Sequence, residues 1–337
     1  MIQIGMIGAG RIGRVHGESI SRYGKGAKLK AVADPLMNGS IRKWAADMGI
    51  PCVYDDYRKI LEDPEIDAVL ICSSTDTHAQ ISVEAIRAGK HVFCEKPIDH
   101  SPSRIRTVLD ELKKSGVKYQ VGFNRRFDHN FRAVRDAVAA GKIGDPHILK
   151  ITSRDPNPPT PEYIKVSGGM FLDMTIHDFD MTRYLLGCEA TEVYAAGAVL
   201  VDPAIGKAGD IDTAVVTLEM EDGALAVIDN SRKAAYGYDQ RAEVFGSKGQ
   251  IAISNDTASS AVFSGADGVT AEKPLYFFLE RYLQAYAEEI DRFGDAISND
   301  RPVSPDANDG LQAVRIAVAA KKSCEEHRPV RLSEIED

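Results

Sequence analysis

The chain has 337 residues, 44% apolar and 27% charged, with a formal net charge of −9. That length exceeds one ordinary core and predicts two domains, 1–122 and 123–337, while the modest acidity without a Lys/Arg cluster excludes nucleic acid and anionic membranes as partners. Five scattered cysteines without a C-x-x-C pair, no apolar run near the ~18 residues of a membrane span, and a start on a strand rather than a basic leader give the expectation of a reduced, cytoplasmic protein.

The first element is the most informative. Residues 2–13, Ile-Gln-Ile-Gly-Met-Ile-Gly-Ala-Gly-Arg-Ile-Gly, lead an apolar strand into Gly8, Gly10 and Gly13. In a dinucleotide-binding turn the first glycine allows the tight bend, the second lets backbone approach a pyrophosphate, and the third lets the next helix pack on the sheet. A second apolar run, 29–33, ends in Asp34, about 20 residues beyond Gly13, where an acid binds an adenosine ribose. Strands over 29–33, 68–72, 91–94 and 119–123 alternate with helical patterns over 40–48, 79–88 and 103–114, which predicts a parallel, doubly wound sheet. The strand 68–72 is buried in character and ends in small polar residues, so ligand contacts are expected from Ser73, Ser74, Thr75 and the segment after Cys94.

Glu95-Lys96-Pro97 follows the strand 91–94, placing a lysine at the carboxyl edge of the sheet. Pro97 restricts the backbone of Lys96 and so the direction of its side chain; a solvated loop lysine is the alternative. Beyond Phe123 the period changes. Val216, Leu218 and Met220 alternate with polar residues, and Asp222-Gly223 marks a hairpin, so the second half is an α+β domain with a large, mainly antiparallel open sheet flanked by helices over 171–186 and 277–297. Pro156-Asn157-Pro158-Pro159-Thr160-Pro161 reads as a stiff loop that shapes a pocket. Asp173 and His177 are four apart and share a helical face; a carboxylate one turn from an imidazole fixes its tautomer and raises its basicity, as a general base requires. A surface ion pair is the other reading of such a pair. No further ligands stand at a metal-binding spacing, so no metal is expected.

Gly8-Ala9-Gly10-Arg11-Ile12-Gly13, Cys94-Glu95-Lys96-Pro97, Val121-Gly122-Phe123-Asn124-Arg125-Arg126-Phe127-Asp128, the segment from Asp173 to His177 and Ala235-Tyr236-Gly237-Tyr238-Asp239-Gln240 together resemble the glucose-fructose oxidoreductase and inositol dehydrogenase (Gfo/Idh/MocA) family, over essentially the whole chain, and its bacterial inositol 2-dehydrogenases in particular. The resemblance implies an N-terminal Rossmann domain, NAD as cofactor and a homotetramer. It implies Lys96, Asp173 and His177 as the catalytic trio, with Lys96, Asp173, His177, Arg125, Asp155, Tyr236 and Tyr238 around the substrate. Implied cofactor contacts are Gly8, Gly10, Arg11, Ile12, Gly13, Asp34, Ser73, Ser74, Thr75, His78, Glu95, Lys96 and Arg125. The implied reaction is oxidation of myo-inositol at C2 by NAD; another inositol isomer, an aldose, or a non-catalytic NAD-sensing role are the alternatives. Ser153-Arg154-Asp155 departs from the His-Arg-Asn that some inositol dehydrogenases carry there.

Overall fold

The computed structural model describes residues 1–336. They divide into two units, one made of Met1–Phe127 and Leu283–Val314, the other of Asp128–Tyr282 and Arg315–Ile335. A single cut at 122/123 assigns 283–314 to the second domain, whereas the structure returns them to the first. The cause is apolar burial: the helix Leu283–Ser298 places Ile290 and Phe293 in the same buried cluster as Ile4, Leu29 and Phe93.

The first unit holds β1 (Ile2–Ile7), β2 (Ala27–Ala33), β3 (Cys52–Tyr54), β4 (Ala68–Ile71), β5 (His91–Cys94) and β6 (Tyr119–Val121). They form one sheet in the order β3-β2-β1-β4-β5-β6, and all its pairings are parallel. Chain order reverses between β1 and β4, so the ends of these strands flank the switch point where doubly wound sheets bind ligands. Every residue of β4 is buried, which accounts for its unbroken apolar run.

The second unit contains β7 (Pro146–Arg154), β8 (Ala190–Ala198), β9 (Thr213–Met220), β10 (Leu225–Ser231), β11 (Asp239–Gly246), β12 (Gly249–Ile253), a separate hairpin β13 (Val262–Gly265) and β14 (Gly268–Ala271), and β15 (Val330–Arg331). Its main sheet runs β12-β11-β7-β10-β9-β8-β15; β7 and β10 are parallel and the other pairings antiparallel. Ala214, Val216, Leu218 and Met220 of β9 point into the core while Val215, Thr217 and Glu219 point out. Gly223, with φ +87°, makes the turn into β10.

Both long helices expected here are interrupted. The stretch 171–186 forms two helices, Met170–Asp173 and Ile176–Leu186, and 277–297 forms Phe278–Arg281 and Leu283–Ser298. At the first break the Thr175 hydroxyl donates to Oδ1 of Asn230 on β10 at 2.7 Å, so side-chain bonding to the sheet replaces helix continuity. Asp173 and His177 therefore lie on opposite sides of a break, not on one continuous helical face.

Candidate active site

The turn after β1 fits a dinucleotide. Gly8 has φ +97°, and a Cβ there would lie 2.6 Å from the Cys72 carbonyl; a Cβ on Gly13 would meet the Gly8 oxygen at 2.2 Å. Over Gly10 the space is open, which leaves its backbone accessible to phosphate oxygens. The first bond of the helix Arg11–Tyr23 runs from the Arg14 N–H to the Gly10 carbonyl at 3.0 Å, so the N–H groups of Arg11, Ile12 and Gly13 lie ahead of the helical ladder. Asp34 follows β2 directly. Its Oδ2 accepts from the Ala9 N–H and its Oδ1 from the Leu36 N–H, both at 2.8 Å, which holds the carboxylate beside the glycine turn.

At the end of β4 the hydroxyls of Ser73 and Thr77 lie 2.7 Å apart, and Ser74 precedes the helix Thr75–Arg87. His78 on that helix is buried, with Nδ1 2.9 Å from the Pro97 carbonyl and Nε2 3.0 Å from the Ser73 carbonyl. Only an imidazolium donates to two carbonyls at once. Burial opposes that charge, but the neighbouring Cys94 thiol and the two carbonyls outweigh it and raise the pKa to about 9. His78 thereby ties the β4 end to the segment that carries Lys96.

Beyond β5, the Glu95 N–H donates to the Ile71 carbonyl at 3.0 Å, the Lys96 N–H donates to Oε2 of Glu95 at 3.2 Å, and the Lys96–Pro97 peptide bond is cis. A Cβ at Gly122 would press on the Glu95 carboxyl at 3.0 Å, so glycine makes room for it. Arg125 is buried in the short helix Asn124–Phe127 of the same unit.

In the second unit Gly168 and Gly169, at φ +85° and +83°, turn the chain into the helix Met170–Asp173. Oδ1 of Asp173 accepts from the Tyr163 hydroxyl at 2.9 Å and Oδ2 from Nη1 of Arg232 at 3.1 Å. The same Nη1 lies 3.8 Å from Oδ2 of Asp155, and Nη2 lies 3.9 Å from Oδ2 of Asp210. One buried guanidinium thus faces three carboxylates. His177 is the second residue of the helix Ile176–Leu186 and half-buried. The helix is anchored next to it, since Asn230 Nδ2 donates to Oδ2 of the buried Asp178 at 2.9 Å. The Tyr236 hydroxyl donates to Oδ2 of Asp239 at 2.5 Å and accepts from Nη1 of Arg154 at 3.2 Å. Tyr238 is buried, its ring edge-on to Phe277 and Tyr282 with centroids 6.1 and 5.9 Å away, so its apolar body serves the core.

Arg232 was not visible as a site residue in the sequence, where it sits in Ser231-Arg232-Lys233 like any surface pair. Its three partners come from different segments, and no local spacing announces them.

The family profile described as "Oxidoreductase family, NAD-binding Rossmann fold" matches residues 2–123, and that described as "GFO/IDH/MocA C-terminal domain" matches residues 131–252. The chain belongs to the GFO/IDH/MocA oxidoreductase family. As a member of it, the protein is an NAD-dependent oxidoreductase with an N-terminal NAD-binding Rossmann domain. Among relatives in this family, the chain is 52% identical to an uncharacterized oxidoreductase of Bacillus subtilis, YrbE, over 99% of this chain and 98% of that one. It is 49% identical to myo-inositol 2-dehydrogenase of Thermotoga maritima, over 99% of both chains. Among solved structures it is similar, with TM-score 0.92, to scyllo-inositol dehydrogenase of Lactobacillus casei with bound NAD(H) and scyllo-inositol, at 32% identity over 99% of both chains. No helix among the described residues is long and apolar enough to cross a membrane.

Proposed function

We propose that this enzyme oxidises the CH–OH group at C2 of myo-inositol to 2-keto-myo-inositol (scyllo-inosose), with NADH released, as a step of inositol catabolism in the cytoplasm. The observation that carries this reading is 49% identity along the full length of a myo-inositol 2-dehydrogenase, in a chain that holds Lys96, Asp173 and His177. When bound, NAD accepts the hydride from the carbinol carbon. His177 takes the hydroxyl proton. Asp173, held by Tyr163 and Arg232, orients and supports that imidazole. Lys96, whose backbone is tied to Glu95, hydrogen-bonds the reacting oxygen and stabilises its developing negative charge. Arg125, Asp155, Tyr236 and Tyr238 supply donors and acceptors to the remaining hydroxyls. The exposed side chains of Tyr194, Val215, Leu225 and Phe245 on the large sheet support face-to-face self-association, because apolar sheet surface of this kind is covered in an assembly, and the family resemblance makes that assembly a homotetramer.

The similarity to a scyllo-inositol dehydrogenase makes scyllo-inositol the second candidate substrate. Initial rates of NADH formation at 340 nm with myo-inositol, scyllo-inositol and aldoses decide between them. The highest kcat/KM is expected with myo-inositol; good turnover with an aldose and none with myo-inositol overturns the assignment.

A further inference from the structure

Among the described residues, the groups that hold Arg14 beside the glycine turn are neutral. Arg14 follows Gly13 directly on the helix Arg11–Tyr23 and is half-buried; its Nε donates to the Ala9 carbonyl at 3.2 Å and its Nη2 to Oγ of Ser40 at 3.4 Å. The guanidinium carbon stands 5.7 Å from the centre of the Trp44 ring, within the range of a cation–π contact. The same helix makes room for that indole, since a Cβ on Gly17 would meet Cζ2 of Trp44 at 2.5 Å. Trp44 belongs to the buried core of this unit, so the surface that supports Arg14 is fixed by packing.

The partners of Arg14 also frame Asp34. Ala9, whose carbonyl takes Arg14, gives its N–H to Oδ2 of Asp34, and Ser40 lies in the first turn of the helix Gly39–Asp47, just beyond the loop where Oδ1 of Asp34 accepts the Leu36 N–H. Arg14 therefore spans the glycine turn and the loop after β2, the two segments that hold the Asp34 carboxylate. In dinucleotide folds an acid at this place accepts the 2′-hydroxyl of the adenosine ribose, whereas a nearby arginine accommodates a 2′-phosphate. Here both are present. Ser40 accepts from Arg14, so its own hydrogen remains available to a phosphate oxygen.

We propose that Arg14 and Ser40 form a 2′-phosphate subsite that the Asp34 carboxylate alone keeps closed, so that a single acid sets the preference for NAD over NADP. The inference rests on Asp34 facing the adenosine ribose and is independent of which polyol the enzyme oxidises. A 2′-phosphate is close to doubly charged at neutral pH, and the carboxylate that would partner the 2′-oxygen is the charge nearest to it. Its repulsion outweighs the attraction of Arg14. With the carboxylate removed the cation is unopposed, and its planar fork meets two phosphate oxygens at once, a geometry that lysine does not reproduce.

The test is fluorescence titration of the full-length protein with NADH and with NADPH, without polyol, read as the ratio of Kd for NADPH to Kd for NADH. Asp34→Ser should lower that ratio about 100-fold, as for relieving a close like-charge contact. Adding Arg14→Met to Asp34→Ser should raise it again about tenfold, as for deleting a charge-assisted bond, and adding Arg14→Lys should raise it by less. Adding Ser40→Ala should raise it severalfold. A merely structural role of Arg14 would move both constants together and leave the ratio unchanged. If Arg14→Met leaves the ratio of the Asp34→Ser protein in place, the proposal is overturned while the assignment of Asp34 stands; if Asp34→Ser itself leaves the wild-type ratio in place, both are overturned. Should the Arg14→Met double variant not fold, the doubles with Arg14→Lys and Ser40→Ala decide it, and a ratio that neither moves overturns the proposal. Failure of the myo-inositol reading leaves every ratio readable, since no polyol is present.

Discussion

Arg232 donates from Nη1 to Oδ2 of Asp173 at 3.1 Å, and both side chains are largely withdrawn from solvent, 3% and 13% exposed. The carboxylate proposed to support the base is thus itself held by a cation 59 residues away in sequence. Removing that cation while leaving Asp173, Asp155 and Asp210 in place would strand three carboxylates together. Arg232→Met should therefore cost about 3–5 kcal/mol of stability, the range for breaking a buried ion pair from one side. Arg232→Lys, which keeps the charge but not the planar fork, should lose less. Thermal melts of both variants, with turnover measured well below their midpoints, check this.

His177 as proton acceptor makes turnover rise with pH as the imidazole loses its proton. His177→Ala should lower kcat by roughly 100- to 10,000-fold and abolish that limb of the pH profile. Asp173→Asn should leave NADH affinity near wild type while kcat falls sharply, because the shape is kept and the charge is lost. A variant at 177 with the wild-type pH profile removes the residue from the role of base.

Lys96 is tested by Lys96→Met. The variant should fold and bind NADH, with turnover reduced on the order of 100-fold or more, as for loss of a preorganised charge donor. Fluorescence titration with NADH and steady-state rates separate the two effects.

Asp34, held beside the glycine turn by two backbone N–H groups, should accept the adenosine ribose and repel a 2′-phosphate. Catalytic efficiency with NAD should exceed that with NADP, and Asp34→Ser should narrow the gap. Equal efficiency in the wild type refutes the argument.

His78 links pH to stability. Its folded-state pKa of about 9 lies above the unfolded value of about 6.5, so the stabilisation is complete below pH ~6.5 and is lost as pH rises through 9. Melting temperature should fall across that window, and His78→Gln should flatten the decline. Melts at half-unit intervals from pH 6 to 10 measure it.

Much of the cofactor half was legible before any coordinates. Gly8, Gly10, Gly13 and Asp34 announce themselves because turn chemistry and strand periodicity are local, and a short window of sequence contains all their physical causes. Alternation in β9 and the Asp222-Gly223 turn are legible for the same reason. The break at Met174 and Thr175 was not: 171–186 has a continuous helical pattern, and the partner that interrupts it, Asn230, lies 55 residues away on β10.

The sequence by itself thus determined the parallel, nucleotide-binding half and the sheet-based second half. Tertiary structure alone decided that 283–314 return to the first unit, where Glu289 reaches His16, and that Arg232 gathers Asp173, Asp155 and Asp210. The reason is physical: propensity and periodicity act over a few residues, whereas a buried charge finds its partner according to which strand ends and helix faces the completed core brings together.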